Sequence, residues 1–187
     1  MAFLRGAVAV LVIAALQVGS GSGQAPQSGL TEAQAKAAVL YNLALFVQWP
    51  AEAFDSSATL QFGIVRADPV LRAMQSVEGR VVNGRTVRVR SPRPDLGEPC
   101  HVLYIPELDR EGQAWLDKVT GKPVLTVSDD ERFLRAGGMI RVSFVESRVR
   151  FDIDIGHAEQ AGLKISSKAL SLARVFRDGR LVKPGDQ

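Results

Sequence analysis

Three short apolar runs, LQFGIV (60–65), HVLYI (101–105) and VLTV (124–127), constrain this chain more than anything else in it. Each is too short for a helix and nearly continuous rather than alternating, the pattern of a strand covered on both faces. The stretches between them read as helices. One follows Asp68-Pro69 to about Val77, and another runs over 107–120 until Gly121 and Pro123 stop it. Strands that alternate with helices pair in parallel through right-handed crossovers. Segment 81–90 reads as a further strand, interrupted at Asn83-Gly84.

The pattern then changes. Ile140, Val142 and Phe144 alternate with Arg141 and Ser143, and Val149, Phe151, Ile153 and Ile155 alternate with Arg150, Asp152 and Asp154. Joined by Glu146-Ser147-Arg148, these form an antiparallel hairpin with one buried face, which places Asp152 and Asp154 together on the outward face, where a carboxylate pair could do acid/base work but surface polarity is the simpler reading. At the front, Thr31-x-x-Gln34 is a capping box for a helix whose stripe is Leu40, Leu43, Ala44 and Val47. Pro50 ends that helix at Trp49. A short helix is expected over 157–161. The last helix starts at the N-cap Ser166 and runs to Phe176, with Asp178-Gly179 as its stop. The expected fold is therefore a single three-layer α/β domain with a mostly parallel, Rossmann-like sheet and a C-terminal antiparallel hairpin.

One domain is what 187 residues with 46% hydrophobic content support. Residues 1–25 read as a secretory signal peptide: Arg5 supplies a charge, an apolar run follows over 6–18, and small residues come next. That run is shorter than the roughly 20 residues a spanning helix needs. The α/β domain then occupies 26–187. Cys100 is the only cysteine, so no internal disulfide can form. The net charge of +3 is a weak argument for an anionic partner. Export argues against nucleic acid.

No catalytic constellation stands out. Cys100 and His101 are adjacent on a strand and point to opposite faces. His157 opens a helix. Two histidines and one cysteine give no metal-ligand spacing and no cofactor motif. Gly137-Gly138 precedes a strand rather than opening a helix, so it turns the chain and cradles no phosphate. In a parallel sheet, ligands bind outside the carboxyl ends of the strands. Arg66, Asp68, Ser128 and Asp129 lie in loops leaving such ends, either as ligand contacts or as helix N-caps and first-turn carboxylates. Arg80, Arg85, Arg88, Arg90 and Arg93 make a basic stretch, either a partner surface or a guard on an edge strand.

Several phrases, in order, resemble the YfiR-like family of periplasmic regulatory proteins: KAAVLYNLALFVQWP (36–50), CHVLYI (100–105), VLTVSD (124–129), GGMI (137–140), FDIDI (151–155) and AGLKISSKALSLA (161–173). The resemblance implies a compact periplasmic α/β domain of a Gram-negative bacterium, a dimer, and control of a membrane-bound diguanylate cyclase in cyclic-di-GMP signalling. The family's cysteine pairs are missing here, and Asp154 stands where the family usually has asparagine. The leading expectation is a non-enzymatic regulator or sensor. It would bind the periplasmic domain of a membrane signalling protein, a diguanylate cyclase or histidine kinase, through Phe46, Trp49, Arg85, Arg88 and Arg90. The alternative is a small-molecule binding module using Arg66, Asp68, Ser128 and Asp129.

Overall fold

The structure, a computed structural model, describes residues 31–54, 58–66, 68–93, 100–145 and 148–182. The proposed signal peptide lies outside them. The capping box forms as expected: Gln34 N–H donates to Thr31 Oγ1 at 3.2 Å, and Thr31 N–H donates to Gln34 Oε1 at 2.8 Å. It starts α1 (Glu32–Leu45), whose Ala37, Leu40, Leu43 and Ala44 are buried. This helix stops four residues earlier than the proline alone would dictate. Val47–Gln48 is extended as β1 and pairs antiparallel with Lys164–Ile165, while Ser166 N–H donates to the Phe46 carbonyl at 2.9 Å. Proline forbids helix only at Trp49, whereas strand pairing claims the backbone from Val47 onward.

The remaining elements are β2 (Thr59–Ile64), α2 (Pro69–Met74), β3 (Val81–Val82), β4 (Arg85–Arg90), β5 (Val102–Tyr104), α3 (Arg110–Val119) and β6 (Leu125–Ser128). They continue with β7 (Ile140–Val145), β8 (Arg148–Asp154), α4 (Ile155–Gln160), β9 (Lys164–Ile165), α5 (Ser167–Leu170), β10 (Ala173–Arg177) and β11 (Arg180–Leu181). Nine strands make one open sheet in the order β11-β10-β8-β7-β6-β5-β2-β4-β3. The run β4-β2-β5-β6-β7 is parallel throughout. The chain passes from β2 outward to β4 and returns on the other side at β5. The strand order therefore reverses between β2 and β5, which makes that gap the topological switch point.

Helices cover the sheet on both faces. Leu60, Phe62, Ile64, Val102, Val127, Ile140 and Ile153 pack with Leu40, Leu43, Met74 and Ala158 of α1, α2 and α4. On the opposite face, Leu103, Ile105 and Val124 pack with Trp115, Leu116 and Val119 of α3 and with Phe133 and Leu134. The expectation of an α/β fold with a mostly parallel sheet therefore stands, with antiparallel additions at both edges.

The C-terminal expectation does not stand. Ser166 caps a helix, but that helix is the single turn α5. Residues Ala173–Arg177 form a strand parallel to β8, with Val175 beside Ile153. Asp178 (φ 51°) and Gly179 (φ 75°) are the two central residues of a tight hairpin turn leading to β11. Positive φ at both positions is what a primed two-residue turn requires, and Asp-Gly supplies it. Helix α3 also begins three residues later than read, with Asp109 as its N-cap, its side chain accepting from Gly112 N–H at 2.9 Å.

Gly112 holds that first turn against the preceding loop. A Cβ there would lie 2.0 Å from the Glu107 carbonyl oxygen and 3.0 Å from Ile105. Because the obstacle is backbone, Gly112→Ala is expected to destabilise the fold by about 1–3 kcal/mol, despite alanine's better helix propensity. Urea unfolding midpoints of the two proteins measure this; an unchanged or raised midpoint would contradict the packing.

Candidate functional site

The four residues expected to bind a ligand lie at the carboxyl ends of β2 and β6, and each is engaged within the chain. Arg66 has a left-handed backbone (φ 69°), unusual for a non-glycine residue. Its guanidinium bonds to Glu107 at 3.1 Å, Glu111 at 2.9 Å and Asp109, stapling the end of β2 to the start of α3 across the switch point. Asp68 caps α2, accepting from Val70 N–H at 2.7 Å. Ser128 is fully buried and its Oγ accepts from Asp130 N–H at 3.1 Å. Asp129 accepts from Lys36 Nζ at 2.5 Å and from Tyr104 Oη at 3.2 Å, tying α1 to the sheet. Burial and then the neighbouring Asp129 carboxylate push the Tyr104 phenol well above its ordinary value. Burial alone would lower the Lys36 ammonium, but its bonds to Asp129 and Glu32 outweigh that and raise it.

An aromatic-lined hollow lies at the opposite, amino edge. It encloses about 360 Å³ among Phe46, Val47, Trp49, Phe54, Val82 and Arg85, with Gln48, Asn83 and Ser166 at its polar margin. The pairing of β1 with β9 places Phe46 and Trp49 on its wall. Trp49 Nε1–H donates to the His101 carbonyl at 3.2 Å, and its ring meets Phe54 edge-on at 6.2 Å. The Phe54 ring stacks on His101 at 4.4 Å and carries the Arg85 guanidinium 3.4 Å from its centroid. Guanidinium over an aromatic face is a favourable electrostatic contact that still leaves edge N–H groups for an acceptor.

Three of the five expected partner-binding residues, Phe46, Trp49 and Arg85, thus meet in one hollow. Arg88 and Arg90 do not join them, because Arg85 alternates with both along β4 and they face the other way. Arg88 bonds to Glu78 at 3.2 Å, and Glu78 also accepts from Val89 N–H, which closes that strand edge. Phe54 was not singled out from the sequence. It follows Trp49-Pro50 in an irregular segment, where no periodicity marks a residue as facing inward.

His101 and Cys100 are structural. Gln61 N–H donates to His101 Nδ1 at 3.0 Å, so Nε2 carries the proton and donates to the Ala53 carbonyl at 3.0 Å. Both ring nitrogens are spent on backbone, which leaves neither for proton transfer. Burial pushes the Cys100 thiol up to about 12, far from a nucleophile's range.

The reading of Asp152 and Asp154 as surface polarity is overturned, since both are buried. The face opposite the main core is not solvent here. Arg141 and Arg174 flank Asp152 in strand register and donate to it at 2.6–2.9 Å. Asp154 accepts from His157 N–H at 3.1 Å, Asp178 N–H at 3.1 Å and Gly179 N–H at 2.6 Å. Ligand atoms of Asp154, His157 and Asp178 all lie within 4.8 Å of one another. With three backbone donors already on the Asp154 oxygens, that cluster clamps a helix start to a hairpin turn and is a poor cation site.

A family model described as YfiR/HmsC-like matches residues 33–174, from the first helix into β10. Among the described residues, no helix is long and apolar enough to cross a membrane.

Substitutions at two positions probe the polar contacts. Asp154→Ala leaves three half-buried backbone donors without their acceptor and should cost about 1–3 kcal/mol, while Asp154→Asn keeps an acceptor and should cost less. Equal losses by urea titration would contradict the clamp. The second concerns acid. Asp130 is held well below the usual carboxylate range by Arg132, aided by the backbone N–H groups of Arg132 and Leu108. Its contribution is present above the unfolded pKa near 4 and is lost as pH falls through the depressed folded value. Arg132→Gln raises that folded value, so the acid loss of stability should shrink in size; an unchanged pH profile would contradict it.

Proposed function

The chain belongs to the YfiR/HmsC-like family, whose members are periplasmic regulators rather than catalysts, and from that premise we propose what it regulates and how. It is a non-enzymatic periplasmic protein that binds the periplasmic domain of a membrane signalling protein of the diguanylate cyclase or sensor kinase type. Residues 1–25 deliver it there as a signal peptide, and residues 26–187 act as one unit. The contact runs through the amino-edge hollow.

The observation that carries this is the aromatic hollow itself. Of its walls Phe46, Trp49 and Phe54, Trp49 is held by the His101 carbonyl and Phe54 lies between His101 and Arg85. A hollow of about 360 Å³ suits one large apolar side chain of a partner. Arg85 and the Gln48, Asn83 and Ser166 margin would meet the polar backbone or an acidic neighbour of that side chain. Binding energy at interfaces concentrates where an anchor of this kind enters a preformed, desolvated pocket.

The alternative, a small-molecule module at the carboxyl edge, finds less support. A ligand there would have to displace Arg66 from three carboxylates, or Asp129 from Lys36 and Tyr104.

The test is affinity capture of native membranes with the wild-type chain, Arg85→Glu and Arg66→Ala, each fraction identified by mass spectrometry. Wild type and Arg66→Ala should recover the same membrane cyclase or kinase, and Arg85→Glu should recover at least about tenfold less. Failure of the wild-type chain to recover any such protein, or loss through Arg66→Ala alone, would overturn the reading.

A further inference from the structure

Helix α3 covers only part of its face of the sheet. On the uncovered part, Arg148, Arg150 and Asp152 follow one another at alternate positions along β8, opposite the core-facing Phe151 and Ile153. Asp152 is shared by two arginines, so Arg141, Asp152 and Arg174 together hold two positive charges against one negative, and the Arg174 side chain is 60% exposed. Arg148 and Arg150 are exposed, and among the described residues neither is bonded to a carboxylate. The result is a flat arginine ladder with excess positive charge.

The same stretch has an open backbone. β10 runs beside β8 only from Phe151 onward, where it pairs with Ala173. β7 occupies the other side of residues 148–150. Among the described residues, the β10-side edge of 148–150 therefore has no strand neighbour. On the reverse face this strip is apolar: Val149 is exposed, beside the half-buried Phe144 and Phe151.

We propose that this vacant lane accepts an extended acidic segment of a partner protein, added to β8 as a strand. Its acidic side chains would lie over Arg148 and Arg150, and its apolar ones, on the other face, beside Val149. Same-face side chains recur about every 7 Å on both strands, so alternating acidic and apolar residues match the ladder in register. An anionic bilayer or glycan could meet the charge, but neither offers the alternating N–H and C=O groups that an open strand edge takes up. The lane is separate from the amino-edge hollow and does not depend on it.

The experiment is fluorescence anisotropy of the full chain with a short labelled peptide of alternating glutamate and valine. Two reference peptides accompany it: one of the same composition as a glutamate block followed by a valine block, and one alternating but N-methylated along its backbone. The alternating peptide should bind, weaken with added salt, and lose about tenfold or more in affinity to Arg148→Glu/Arg150→Glu. Arg88→Glu, a surface charge on another strand, should leave it unchanged. N-methylation should weaken binding to the wild-type chain, a readout that needs no variant to fold. The proposal is overturned if the alternating peptide does not bind. Block or N-methylated peptide binding equally well, or an arginine reversal without effect, would overturn it too. So would phosphatidylglycerol vesicles that bind through Arg148 and Arg150 when the peptide does not.

Discussion

One buried carboxylate joins three parts of the molecule. Asp154 ends β8, and its oxygens receive the N–H groups that open α4 and those of the turn between β10 and β11. A carboxylate is removed from water at a cost of several kcal/mol, which several charge-assisted hydrogen bonds can offset. Those bonds set where α4 leaves the sheet and where the chain turns back. The path from α4 then leads to Lys164–Ile165, whose pairing with Val47–Gln48 shapes the wall of the aromatic hollow. A polar clamp at the end of β8 thus helps set the path of the chain that lines the aromatic hollow.

The two ends of the sheet have been put to different uses. At the switch point, where an open α/β sheet would usually hold its ligand, Arg66 is turned into a left-handed conformation and surrounded by Glu107, Asp109 and Glu111. Such a backbone costs on the order of 1 kcal/mol and persists where surrounding bonds hold it. The crevice has become a brace. The amino ends, with short loops and an irregular 49–54 segment, keep the aromatic hollow instead.

Legibility in the sequence followed the range of the interactions. The buried runs LQFGIV, HVLYI and VLTV became β2, β5 and β6 because a strand covered on both faces admits almost only apolar residues. The α1 capping box was legible because it is local. The early end of α1 was not, since it depends on a partner strand more than a hundred residues away. Ala173–Arg177 has enough helix formers to extend a helix, and only pairing with β8 makes it a strand. Asp152 and Asp154 alternate with apolar residues, and alternation identifies two faces without saying whether the polar one meets water. Their burial depends on arginines from β7 and β10 and on a distant turn. The gathering of Phe46, Trp49 and Arg85 was partly foreseeable, but the strand alternation that separates Arg85 from Arg88 and Arg90 was the better guide to which of them meet.

The single thiol has a consequence for how such a regulator can be switched. Disulfide exchange and oxidation start from the thiolate. With burial pushing its titration up to about 12, Cys100 stays a protonated thiol at neutral pH. Disulfide exchange and thiol oxidation therefore find little reactive thiolate at Cys100.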